Sequence, residues 1–366
     1  MQLRDIRTAK GWKVEIVKDE CSIARLWIVD RQMRIGPCPV LTAGIAGVGT
    51  DPEYRGQGLS RRVLEASLEL MRREGYDASM LFGIQDFYHK FGFATCFPER
   101  QLSLDTRDAE RAEKQLAIRS MRPDDLPHIT RLYNRDNVER TASVVRDNTW
   151  RGFAMGSDFG VETDTKVVLN AQGRIGGYVV CDKTLDRCRA AEVGGRTEAV
   201  FSTILHFLAR RSVQLRREEI SLALPIDHLF ARYCKSYGCR EQTRFIRNAG
   251  PMGRIIQLQP FLEKILPVLA ERWGQQNRER ALALSTDIGT SVLHWRRGRL
   301  ATNKTAGKSA LNVRVGQDAL MLLAMGYHTA DDLRTRGALN ANKEALAILA
   351  RLFPLQTAHM SWPDRF

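Results

Sequence analysis

Residues 48–60 read Val-Gly-Thr-Asp-Pro-Glu-Tyr-Arg-Gly-Gln-Gly-Leu-Ser, so two glycines, Gly56 and Gly58, stand between an apolar stretch at 41–48 and a segment running from Leu59 to a stop at Gly75. Without a Cβ, each glycine lets the chain turn tightly and present main-chain N–H groups to an anion. A helix beginning at Leu59 adds its unpaired first-turn donors and the positive end of its dipole. Arg55 supplies a full charge, and Gln57, Ser60 and Arg61 border the turn. The chemistry is that of a phosphate cradle. No Gly-Lys-Ser/Thr follows, which excludes a P-loop, and the third glycine and acidic strand end of a dinucleotide site are missing. A glycine pair before a helix is as often plain turn chemistry, so its surroundings decide.

Those surroundings are what a cradle requires. Leu59, Val63, Ala66 and Leu70 form one stripe at helical spacing, widened by Leu64, Leu68 and Met71. Residues 38–49 read as a strand that delivers Val48, Gly49 and Thr50 to the turn, and residues 12–17 and 22–29, broken at Asp19 and Glu20, read as a hairpin. A short strand at 78–82 ends beside Gly83 and Ile84. It leads into Gly-Ile-Gln-Asp-Phe-Tyr-His-Lys-Phe-Gly-Phe at 83–93, a short helix carrying Tyr88.

With both motifs in this order and at this separation, about the first hundred residues resemble the GNAT N-acetyltransferase superfamily. Its Arg-x-x-Gly-x-Gly/Ala turn matches Arg55 to Ser60, with Ser60 in place of the last small residue, and its Phe-Tyr-x-x-x-Gly-Phe helix matches Phe87 to Phe93. The resemblance implies that the anion is the pyrophosphate of acetyl-CoA, bound as a co-substrate. It implies that the pantetheine arm follows the strand ending at Val48–Thr50 and that N–H groups near Val48 polarise the thioester. Tyr88 becomes the general acid; its plainer reading is a packed aromatic. A full domain of this family places a strand and two helices ahead of the hairpin, for which this sequence has no room, so the resemblance implies an open acceptor site or a wall supplied from elsewhere.

Further along, residues 105–115 are charged and read as a linker. Residues 117–127 read as a strand followed by a helix start, 166–169 and 176–181 as a hairpin around Asn170–Gly173, and 200–215 as a helix. Residues 233–239 echo the Tyr88 segment weakly. Where a cradle would recur, residues 192–198 read Glu-Val-Gly-Gly-Arg-Thr-Glu, which brings two carboxylates to any phosphate. A third region has helices expected at 261–273, 319–326 and 344–353 and strands at 282–285 and 291–295. Its Leu322-Leu-Ala-Met-Gly-Tyr, Leu352-Phe-Pro and terminal Trp362-Pro-Asp-Arg-Phe look like the sterol carrier protein-like domain that closes Eis-like acetyltransferases. The expected organisation is a shortened catalytic GNAT domain at 1–115, a GNAT-like domain without a cofactor site at 116–258, and a sterol carrier protein-like domain at 259–366, of class α/β to α+β.

The 366 residues carry a net charge of +14, yet the basic excess lies outside the cradle domain: residues 1–116 hold 18 basic and 17 acidic side chains, against 38 and 25 beyond. The arginines are dispersed, as at Arg210, Arg211, Arg216 and Arg217, which reads as a solvated helix face and argues against a nucleic-acid partner. Seven cysteines without metal-type spacing read as reduced, buried thiols and no metal site. With no apolar leader and no long apolar run, the expectation is a cytoplasmic protein with no membrane partner.

Amine acetylation also needs a base. Adjacent helical residues point about 100° apart, so His89 does not share the direction of Tyr88. By resemblance to Eis-like enzymes, the base is the free carboxylate of the last residue, here Phe366, and the assembly is a homo-oligomer, a hexamer built from trimers. The acceptor is a small-molecule or protein amine. Arg365 and the positive net charge argue against an aminoglycoside. The alternatives are transfer of a longer acyl group, or a non-catalytic carrier that binds CoA and lipid.

Overall fold

Alternating side chains build the expected hairpin, and one further strand precedes it. The computed structural model describes residues 1–147, 150, 163–274, 279–296, 299–303 and 310–366. In chain order the strands and α-helices are β1 (Gln2–Thr8), β2 (Gly11–Lys18), β3 (Cys21–Ile35), β4 (Cys38–Thr50), α1 (Leu59–Arg73), β5 (Ala78–Gly83), β6 (Ala94–Thr95), β7 (Glu99–Asp105), α2 (Thr106–Ala109), β8 (Ala117–Ser120), α3 (Leu126–Asp136), β9 (Thr163–Leu169), β10 (Ile175–Asp182), β11 (Cys188–Gly195), α4 (Glu198–Gln214), β12 (Glu219–Leu222), α5 (Leu229–Cys234), β13 (Cys239–Arg244) and β14 (Gly250–Ile255). The chain closes with α6 (Leu258–Trp273), β15 (Arg280–Thr286), β16 (Gly289–Arg296), β17 (Arg299–Asn303), β18 (Leu311–Val315), α7 (Gln317–Ala324), α8 (Ala330–Thr335), β19 (Leu339–Ala341) and α9 (Lys343–Leu352). Among the described residues no helix is long and apolar enough to cross a membrane.

The chain divides into two units. Unit 1 holds residues 1–97, 246–358 and Phe366; unit 2 holds 98–245 and 359–365. In unit 1 a seven-stranded sheet runs β1-β2-β3-β4-β5-β14-β6 and a five-stranded sheet runs β17-β16-β15-β18-β19. The stripe expected on α1 is its buried face: Leu59, Val63, Leu64, Leu68, Leu70 and Met71 pack with Val14, Ile16, Leu26, Ile28, Ile45 and Leu81. At about 1.5–3 kcal/mol for each large apolar side chain, this packing outweighs the loss from a glycine N-cap that makes no side-chain capping bond. Tyr88 lies on a single 3-10 turn, Tyr88–Phe91, rather than an α-helix. Gly92 closes it at once, at φ 73°, a left-handed conformation suited to glycine.

In unit 2 a second seven-stranded sheet runs β13-β7-β12-β11-β10-β9-β8. The segment expected as a charged linker is partly packed: α2 buries Thr106 and Ala109, and the Thr106 and Ser212 hydroxyls lie 2.8 Å apart. Arg146, fully buried, is the charge centre of this unit. It donates to both oxygens of Glu192 (2.9 and 2.6 Å) and of Asp364 (2.8 and 2.9 Å). Its guanidinium carbon lies 3.4 Å from the Tyr133 ring centre and 4.0 Å from that of Trp150. The Tyr133 and Tyr178 hydroxyls donate to Asp364 and Glu192. Burial, with these carboxylates beside them, pushes both phenols well above their usual range.

Two of the sheets cross the linear boundary drawn at 115/116. β7, inside the expected first domain, pairs antiparallel with β12 and β13. β14, inside the expected second domain, pairs with β5 from Ala78↔Ile255 to Gly83↔Gly250. Of the residues 259–366 expected as the third domain, 259–358 and Phe366 fall in unit 1 and 359–365 in unit 2. Alternation in a sequence marks a strand but carries no record of which distant edge accepts it.

Candidate active site

Gly47 and Gly49 sit near the end of β4, where glycine signals a bulge or a close backbone approach. Trp27 of β3 faces Ala46, but Arg25 faces Gly49, so β4 carries one extra residue here. Gly47 takes φ 55° in this bulge. The parallel ladder between β4 and β5 ends at Ile45↔Leu81, whereas β4 stays paired with β3 as far as Thr50. Beyond Ile45 the edge of β4 that faced β5 has no strand partner among the described residues. Its main-chain groups around Val48 and Gly49 border an opening between two strands, a place where a linear ligand can complete the ladder.

The turn after β4 is tied at its base. The Thr50 and Ser60 hydroxyls lie 2.7 Å apart, and Arg55 Nε donates to the Thr50 carbonyl at 3.3 Å. Gly56 and Gly58 take φ 77° and 73°, and a Cβ added to either meets no atom within 4 Å. Open space therefore lies ahead of α1, whose first-turn donors no side chain caps. Gln57 is exposed, Leu59 is core, and the Arg61 guanidinium lies 5.4 Å from the Phe91 ring centre. In unit 2 the corresponding strand-to-helix step is filled instead. A Cβ on Gly194 collides with the Tyr178 ring and one on Gly195 with Val200, while Glu192 is held by Arg146.

Tyr88 is buried, with its ring against Phe87 and Phe93. It also covers Gly83, where any Cβ would come within 2.7 Å of the ring. Among the described residues no group hydrogen-bonds the Tyr88 hydroxyl, and burial raises its pKa, which keeps the proton on it at neutral pH. His89 is half-buried with no partner for Nδ1. Ile84, just past β5, is 68% exposed, large for an apolar side chain at the mouth of the opening.

Phe366, 8% exposed, lies edge-on to Phe82 with ring centres 6.0 Å apart and covers Gly44, where a Cβ would come within 2.8 Å of its ring. Side chains alternate across a sheet. Gly44 and Phe82 therefore share one face; Ile45, Leu81 and Gly83 share the other, against α1. Tyr88 and the terminal residue flank the opening from opposite faces. Sequence reasoning missed Gly44, Gly47 and Phe82, which seat the terminus and shape the bulge; the glycines at 44, 47 and 49 inside an otherwise β-forming run were the available signal.

The acetyltransferase (GNAT) domain profile matches residues 3–96, and the sterol carrier protein domain profile matches residues 283–361. No curated protein matches the chain. Among solved structures the chain is similar to a conserved protein from Enterococcus faecalis described as a probable N-acyltransferase, with a TM-score of 0.79 and 18% identity over 98% of this chain and 90% of that one. It is similar to a GCN5-related N-acetyltransferase from Anabaena variabilis (TM-score 0.77, 17% identity, 97% and 89% covered) and to Eis1 from Mycobacterium abscessus (TM-score 0.65, 15% identity, 98% and 91% covered). These likenesses show a shared fold, and the GNAT profile match supports acyl transfer with an acyl-CoA co-substrate. The profile matches mark residues 3–96 as a GNAT acetyltransferase domain and residues 283–361 as a sterol carrier protein domain.

Proposed function

We propose that the protein transfers an acetyl group from acetyl-CoA to a primary amine. The observation that carries this reading is the opening between β4 and β5, with an open glycine cradle at one end and Tyr88 and Phe366 on its two faces. The backbone of Gly56, Gln57, Gly58, Leu59 and Ser60, with Arg55 and Arg61 beside it, holds the pyrophosphate; Val48, Gly49 and Thr50 line one side of the pantetheine arm and Gly83 and Ile84 the other. When bound, acetyl-CoA supplies the activated thioester. The Phe366 carboxylate takes the ammonium proton, which leaves the nitrogen lone pair free to form the N–C bond. Main-chain N–H groups of the bulge donate to the carbonyl oxygen as negative charge grows on it. As the C–S bond breaks, Tyr88 gives its proton to the sulfur. An α-carboxyl ordinarily titrates well below neutrality, so the base is ionised when the reaction begins.

Calorimetry with acetyl-CoA at modest salt tests the reading. One site per chain is expected, lost in Gly58→Trp, whose indole would project into the space ahead of α1 while the core is untouched. No binding by the unaltered chain would overturn it. Thiol release with acetyl-CoA set against longer acyl-CoA thioesters decides chain length.

Tyr88→Phe is expected to lower kcat by about 10², the lower end of general-acid effects, because a thiolate leaves more readily than an amine or alkoxide. Acetyl-CoA affinity should stay unchanged. An unaltered kcat in Tyr88→Phe would show that Tyr88 only packs.

A further inference from the structure

The register of the first sheet places a second set of groups beside the terminal residue. Ile6, Lys13, Trp27 and Ala46 are paired in one row across β1 to β4, next to the row Gly11, Val29 and Gly44 on which Phe366 sits. Cross-strand partners point the same way, so Trp27 and Phe366 share a face, the one opposite α1. The Trp27 ring lies on the bulge itself: a Cβ on Gly47 would come within 2.8 Å of it. Even so, Trp27 is 37% exposed, an apolar ring beside the bulge that borders the opening.

The charges of this face are already spent. Glu15, fully buried and paired with Arg25 in the ladder, is contacted by Arg4 Nη2 at 2.6 Å and Lys13 Nζ at 2.5 Å. Burial pushes its carboxyl up, but these partners hold it down, at about 2. Asp51, just past the end of β4, pairs with Arg25 at 3.2 Å, and Lys13 Nζ also lies 5.7 Å from the Trp27 ring centre. No carboxylate in these rows is left to hold a second ammonium group, and the cations beside Trp27 repel one.

We infer that the acceptor is a monoamine with an aromatic or apolar body, which packs on Trp27 while its amine reaches the opening at Ala46–Gly49. Trp27 is thus a specificity-determining residue, and polyamines and aminoglycosides are poor acceptors. This inference rests on the acetyltransferase reading of the same site. It does not follow from it, because the same transfer would serve a polycation over an acidic face.

The test is thiol release from acetyl-CoA by the untagged protein, with phenethylamine and spermidine as acceptors, together with calorimetry for acetyl-CoA and sedimentation of each variant. The expected result is at least about tenfold higher kcat/KM for phenethylamine. Trp27→Ala should raise the phenethylamine KM about tenfold, the scale of one aromatic contact, with kcat little changed, and Trp27→Phe should recover most of the loss. Equal or better use of spermidine, an unmoved KM in Trp27→Ala, or acetyl-CoA binding without any transfer to phenethylamine would each overturn it while leaving the acetyltransferase reading in place. If Trp27→Ala alters the oligomeric state instead of KM, the face is a subunit contact and the inference fails. Absence of acetyl-CoA binding removes both readings together.

Discussion

Deleting Phe366 is expected to lower turnover by about 10³ or more while acetyl-CoA affinity barely changes. Two effects combine. The new terminal carboxylate is displaced by up to about 3.5 Å along the chain, too far for direct proton transfer, and general-base assistance alone is worth about 10² to 10⁴. The ring that Gly44 and Phe82 receive is lost as well, so nothing holds the new terminus against β4. Gly44 is where the structure makes room: any side chain there would displace the Phe366 ring. Appending residues after Phe366 should be as damaging as deleting it, since the carboxylate becomes a neutral peptide group. The measurement is kcat with tagged, untagged and truncated chains at saturating acetyl-CoA. Full activity in a C-terminally tagged chain would rule out the terminal carboxylate as base and redirect attention to His89.

Arg146→Met is expected to destabilise the protein by about 3–5 kcal/mol, the usual consequence of stranding buried charges. The substitution removes the guanidinium that Glu192 and Asp364 share, leaving two buried carboxylates whose remaining side-chain donors among the described residues are the Tyr133 and Tyr178 hydroxyls. It also removes the guanidinium that stacks on the Tyr133 and Trp150 rings. Adding Glu192→Gln and Asp364→Asn to Arg146→Met should restore part of the loss, because neutral amides cost far less to bury than unpaired carboxylates. Urea unfolding followed by circular dichroism gives the comparison. An unchanged midpoint in Arg146→Met would mean that the network contributes nothing net. Since Asp364 lies in the last segment of the chain, proteolysis near the C-terminus should quicken in Arg146→Met.

Much of the local architecture was legible. The stripe on α1, the hairpin of β2 and β3, the β4 strand and the helices α4, α6 and α9 follow from spacings of two or 3.6 residues that are present in a few consecutive turns of sequence. The helix expected around Tyr88 shrank to a 3-10 turn because Gly92 stops it four residues on. The strand at Gln2–Thr8 went unread, since its residues are nearly all exposed and show little alternation. The supposed linker at 105–115 proved partly buried because Ala109 and Ala112, small among charged neighbours, are what α4 packs against.

By itself the sequence determined the tight turn ahead of α1, because a glycine pair, a helix start and an adjacent cation are properties of neighbouring residues. It also pointed to acyl transfer, through the resemblance of that turn and the Tyr88 segment to the GNAT pattern. Only the tertiary structure decided that β14, some 170 residues after β5, completes the first sheet, that Gly44 seats the terminal ring, and that Trp27 shares a face with it. The reason is physical. Turns and helix starts are set by interactions within a few residues, whereas the pairing of strand edges and the filling of one residue's missing Cβ by another's ring are contacts between distant parts of the chain, favoured by burial and shape and written in no local pattern.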